Sequence, residues 1–138
     1  MKGSIRLLAG FALLTLLVAC SGNARRTALD RTLYAYHSAI RWGDIDTAWR
    51  MVDPEYREAH PLSSIDRSRY DQYSVSGYYE QGRSETADGV LHQVVQIALI
   101  NRHTQTEKVM VDQQSWRWDE ATETWWLTSG LPDYRKAR

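Results

Sequence analysis

Near Arg69 the spacing of apolar residues changes from a helical period to a period of two, and this change divides the chain into a helix-forming first part and a sheet-forming second part. Upstream, Leu29, Leu33, Tyr36 and Ile40 recur at intervals of 4, 3 and 4, which places them on one stripe of a helix. Thr27 with Asp30 three positions on is a capping-box-like start, and Gly43 suits the left-handed position just past a helix end. A helix is therefore expected over about Thr27 to Trp42. Asp44 or Asp46 can cap a second, shorter helix in "DTAWRMV", with Ala48, Trp49 and Val52 inward, stopped by Asp53 and Pro54. Residues 54–68 contain two prolines and no sustained period, and read as a loop with room for one helical turn.

Downstream, Tyr73, Val75, Gly77 and Tyr79 alternate with Gln72, Ser74, Ser76 and Tyr78, the pattern of a half-buried strand. Asp88 and Gly89 form a turn signal. "VLHQVVQIALI", Val90 to Ile100, is the most β-branched stretch and is expected to be central, with Leu91, Val95, Ile97 and Leu99 on one face. A turn near His103 to Gln105 follows, and "KVMVDQQSWRW" and "TWWLTS" form a hairpin across Asp119 to Glu123. This order gives an α+β class: two N-terminal helices packed on a curved antiparallel sheet of about four strands.

The start of the chain has a different character. Lys2 and Arg6 precede fourteen uncharged residues, Leu7 to Cys20, a run too short to span a bilayer comfortably and suited to a signal peptide. Leu17, Val18, Ala19 and Cys20 resemble the bacterial lipobox. That resemblance implies a diacylglyceryl group joined to the Cys20 thiol, cleavage between Ala19 and Cys20, acylation of the new amino group with a fatty acid such as palmitate, and a mature protein beginning at Cys20. Ser21 after the cysteine resembles the default that directs such lipoproteins to the outer membrane, so the expected address is the cell envelope, on the periplasmic face of the outer membrane. Residues 1–19 are then the signal peptide, 20–26 the lipidated cysteine and a short tether, and 27–138 a single domain. Arg25 and Arg26 either touch anionic head groups or belong to a solvated linker.

Cys20 is the sole cysteine, so lipidation leaves no thiol for a disulfide, a metal site or a nucleophile. Loss of Lys2 and Arg6 leaves 15 basic residues against 17 acidic ones, with the arginines scattered among acids, which argues against nucleic acid as a partner. Six Trp and eight Tyr against one Phe mean that the core or a cleft is built from aromatics whose polar edges need partners.

The helix, "WGD", helix opening, the long strands and the closing "WWLTSGLP" resemble the nuclear-transport-factor-2-like superfamily of cone-shaped α+β domains, over about Thr27 to Pro132. Within it the chain resembles small bacterial lipoproteins of unassigned role. The resemblance implies a hollow that in enzyme members holds a carboxylate or histidine, often with a tyrosine. Tyr36, His37 and His92 are the candidates here, and no spacing joins them into a motif. His60 and His103 sit in expected loops without metal-ligand spacing, and Ser63 and Ser64 lack a nucleophile-elbow context. Neither metal nor cofactor is expected. Trp116 and Trp118 share a face, whereas the adjacent Trp125 and Trp126 must oppose each other, so one of them joins the first pair. The candidate binding face is Trp116, Trp118 and Trp126, with cross-strand core packing as the plain alternative.

The expected role is that of a lipid-anchored, non-enzymatic envelope domain that binds a protein partner or an apolar small molecule through its sheet face or hollow. An isomerase, cyclase or dehydratase using a pocket histidine is the alternative. Replacing Cys20→Ser is expected to move the protein from the membrane fraction to the soluble fraction, or to leave the leader attached; unchanged lipid labelling of this variant would refute the lipobox reading.

Overall fold

Leu29, Leu33, Tyr36 and Ile40 are all buried, with Ala39 beside them, so the stripe that identifies the first helix is also the face that meets the core. The structure is a computed structural model that describes the backbone from residue 2 to residue 138 and the side chains from residue 22 onward. The proposed lipidation at Cys20 and the side chains of the proposed leader lie outside the described residues. Helix α1 (Lys2–Trp42) is longer at its start than the apolar stripe implies. Thr27 is interior to it, so the capping box at Thr27 and Asp30 does not form. Residues 22–26, expected as a tether, are helical. Their contacts account for this: Arg25 donates to the Gly89 carbonyl at 2.9 Å, pairs with Glu85 at 3.2 Å and lies 4.9 Å from the Trp125 ring centroid. Arg25 is thus engaged by the domain.

Helix α1 ends as expected. Gly43 has φ +75°, its N–H reaches the Ile40 carbonyl at 3.2 Å, and the Asp44 N–H reaches the Ala39 carbonyl at 2.8 Å, the paired bonds of a Schellman cap. Helix α2 (Ile45–Arg50) begins on Asp44, whose carboxylate accepts the Thr47 N–H. The stretch read as a loop contains two further helices. In α3 (Pro54–Ala59), Asp53 caps a proline-led first turn; in α4 (Ser64–Asp71), Ser63 and Asp66 form a full capping box. Neither helix has a fully buried residue, so local capping rather than an apolar stripe specifies them and a periodicity argument passes them by.

Four strands, β1 (Tyr73–Glu85), β2 (Leu91–Asn101), β3 (Glu107–Asp119) and β4 (Thr124–Leu127), pair antiparallel in sequence order. Strand β1 carries register shifts between Val75 and Gly77 and between Glu80 and Gly82. The extra residue at the first shift changes phase, so Val75 and Tyr78 face the helices while Tyr79 faces out, against the simple alternation expected. The inner face also takes Leu91, Val95, Ile97 and Leu99 from β2 and Met110 and Trp116 from β3. The helical layer is tied to β4 by a parallel bridge between Val52 and Leu127, in which the Asp53 N–H meets the Leu127 carbonyl at 2.9 Å. Asp53 also accepts from Arg117 at 2.6 Å; burial opposes its ionisation, but the Arg117 and Glu55 donors hold its carboxyl below the usual range.

Beyond β4 the chain leaves the sheet at Ser129 and returns at Arg138, which exchanges both backbone hydrogen bonds with Val109, at 2.8 and 3.0 Å. In between, Pro132 and Tyr134 are buried, and Tyr134 packs edge-on to Tyr70 at 4.9 Å. Trp116 has no exposed surface and meets Tyr36 edge-on at 5.1 Å. Replacing Trp116→Ala is expected to cost about 3 to 5 kcal/mol, measured by urea unfolding. A loss of less than about 1 kcal/mol would mean that this indole does not hold α1 on the sheet.

Candidate functional site

The three residues singled out for acid–base work do not converge. His92 lies on the outer sheet face, where a ring nitrogen is 3.0 Å from Ser115 Oγ. His37 stacks on Tyr78 at 4.4 Å and lines a shallow depression of about 320 Å³ with Asp30, Glu80, Arg83 and Gln93. Tyr36 is sealed beneath α1. His60 stacks on Tyr56 at 4.4 Å, and Ser63 spends its hydroxyl on the α4 cap. Among the described residues no three His, Cys, Asp or Glu side chains cluster as metal ligands, and no helix is long and apolar enough to cross a membrane.

The tryptophan face is Trp116, Trp118 and Trp125, not Trp126. Trp118 stands opposite Trp125 in the hairpin, with ring centroids 5.6 Å apart, whereas Trp126 stands opposite Arg117 on the other face. The bulges in β1 do not reach this hairpin; the phase is set by the Asp119 and Thr124 pairing at its end, which the sequence leaves open to either of two adjacent indoles. Trp116 and Trp125 are core, and their indole N–H groups find Gln114 Oε1 at 3.3 Å and the Arg25 carbonyl at 3.2 Å. Only Trp118 of this set is half-exposed.

Between the helices and the inner sheet face lies a polar chain that sequence reasoning missed. Gln114 Nε2 donates to Asp112 Oδ2 and to Tyr78 Oη, each at 2.9 Å, while its carbonyl receives Trp116. Gln93 Nε2 reaches Glu80 at 3.2 Å. Burial pushes the Asp112 carboxyl up to about 6, against the opposing pull of the Gln114 donor and the Lys136 charge. Burial also raises the hydroxyls of Tyr36, Tyr70, Tyr78 and Tyr134, which stay protonated at any physiological pH. Among the described residues, Tyr36 Oη and Gln93 Oε1 have no hydrogen-bond partner, a cost of about 1 to 3 kcal/mol each in a dry interior. The available signal was the alternation Met110, Asp112, Gln114, Trp116: two polar residues in the inward phase of a strand.

Asp112 also lines an open cleft of about 750 Å³ between β3, the 129–137 segment and α3 and α4. Tyr56, Leu62, Tyr70 and Lys136 form parts of its wall. The outer sheet face is a separate feature. Around Gln96 stand Tyr79, Val94, Val109 and Val111, with Tyr79 and Val111 more than half exposed. The Tyr79 ring lies over Gly77, where any Cβ would clash with it. Comparison with family models, with curated proteins and with solved structures returned no match to this chain.

The raised Asp112 carboxyl makes a signed prediction. The folded state holds this proton above the pH at which the unfolded chain, near 3.9, releases it, so Asp112 costs stability as pH rises from about 4 to about 6. Asp112→Asn is expected to gain on the parent over that interval by up to about 3 kcal/mol, read as the difference between their urea unfolding curves. A difference that does not change between pH 4.5 and 7 would contradict the buried setting of Asp112.

Proposed function

We propose that the chain is a lipid-anchored protein of the bacterial cell envelope, held by Cys20 at the periplasmic face of the outer membrane, whose folded domain binds a protein partner without catalysis. The observation that carries the partner reading is the outer sheet face: Tyr79, Val94, Val109 and Val111 are exposed together on the side that α1 leaves uncovered. Exposed apolar side chains gathered on one rigid face favour contact with another protein. A small apolar ligand inside the hollow is disfavoured, because Tyr36, Ile40, Ile97, Leu99 and Trp116 already fill it. Helices laid on one face of a four-stranded antiparallel sheet also support the nuclear-transport-factor-2-like reading of the fold. A lipid hook and a domain that starts within a few residues of it would keep this face close to other envelope proteins.

Asp112 gives the acid–base alternative its remaining support. A buried carboxyl beside tyrosines at a cleft mouth is a setting in which proton transfer near neutral pH is feasible. The histidine form of that reading loses ground, with His92 on the outer face and His37 without a carboxylate partner among the described residues.

The partner reading is tested by a photo-crosslinking residue placed at Val94 or Tyr79 in intact envelopes, with exposed Glu58 on α3 as the control position. A discrete adduct from the sheet positions alone is expected. Adducts equally strong from Glu58, or none from either sheet position, would overturn it.

A further inference from the structure

Strand β3 is paired on its β2 side along most of its length, but among the described residues its other side is paired only at the two ends. Thr128 donates to the Ser115 carbonyl at 2.8 Å, and Arg138 brackets Val109. In an antiparallel strand both backbone groups of a residue point to the same side, and alternate residues point to opposite sides. Val109 and Ser115 point away from β2, so Val111 and Gln113 do so as well. The chain that would continue β4 along this edge turns inward over residues 129–137 to bury Pro132 and Tyr134. Among the described residues nothing takes its place against Val111 or Gln113. Both line the 750 Å³ cleft, whose size falls in the range of ligand sites.

We propose that this gap in the β3 edge is a docking site for an extended segment of a partner polypeptide, which pairs with the N–H and C=O groups of Val111 and Gln113 and completes the interrupted fourth strand. The proposal rests on the partner reading above and names its mode. The occupant follows from the chemistry of the gap: two donors and two acceptors at strand spacing, bracketed by chain segments already in β pairing, match an extended backbone better than any compact ligand. Alternate side chains of the added segment would fall on the two faces of the sheet. Those on the outer face would lie beside Val109 and Val111, which are 39% and 57% exposed, and should be apolar. Those on the inner face would enter the cleft beside Asp112 and Lys136 and should be polar.

The test selects a displayed library of random seven-residue peptides on the full-length chain in mild detergent and measures the affinity of the enriched sequences. Enrichment of peptides with alternating apolar and polar residues is expected, with affinity falling about tenfold on Gln113→Pro, which removes one edge donor and blocks the edge with its ring. Proline is tolerated where the N–H faces outward on an edge; melting of the variant checks that it folds. If it does not, the parent chain still decides the matter, because N-methylation of the peptide at alternate amides should abolish binding in one phase and spare it in the other. Peptides that bind Gln113→Pro or both N-methylated phases as well as the parent would overturn strand pairing while leaving the partner reading in place. Failure to enrich any peptide over selection on the variant would overturn it too. The envelope crosslinking at Val94 and Tyr79 decides the partner reading separately.

Discussion

The contact between Tyr36 on α1 and Trp116 on β3 joins the two halves of the molecule, and the rest of the interior is arranged around it. Both side chains are fully buried and meet edge to face, a geometry that suits two aromatic quadrupoles. A core built from aromatics with polar edges must bring partners inside with them. Gln114 fulfils that requirement for Trp116 and Tyr78 and takes Asp112 into the same chain of hydrogen bonds. The raised Asp112 carboxyl is therefore first of all a consequence of how this core satisfies its indole and phenol groups.

Side chains fill the space between the helices and the sheet. The features left at the surface are the apolar outer face around Gln96 and the open cleft beside β3. The two adjoin at Val111, which is exposed on the outer face and presents its backbone groups toward the cleft. The 129–137 segment explains why: by turning inward to seat Tyr134 against Tyr70, it closes the bottom of the core and leaves the β3 edge uncovered. Core closure and edge exposure have one cause.

Where tertiary packing and local periodicity agree, the sequence is readable. The α1 stripe, the Gly43 cap, the inward residues of β2 and the α+β order all follow from period and turn chemistry. The reading fails where a single residue changes phase or where capping acts without burial. Ser76 in the β1 bulge sends Tyr79 outward, and the Ser63 and Asp66 box makes a helix of residues with no apolar stripe. Trp125 and Trp126 could not be told apart because adjacency fixes only that they oppose each other. Asp112 was legible as an inward polar residue on β3, but its importance depends on Tyr78 and Lys136, which chain order places far from it. Arg25, read as tether, is part of the domain through the Gly89 carbonyl in the β1–β2 turn and the Trp125 ring on β4.

Between Val109 and Ser115, among the described residues, β3 is bonded on one side and open on the other. Amide hydrogen exchange measured residue by residue along this strand reads that asymmetry. Alternation is expected, with Met110, Asp112 and Gln114 protected by β2 and Val111 and Gln113 exchanging at rates close to those of exposed turns. Equal protection at all five amides would show that the edge is covered and that β3 has no open side.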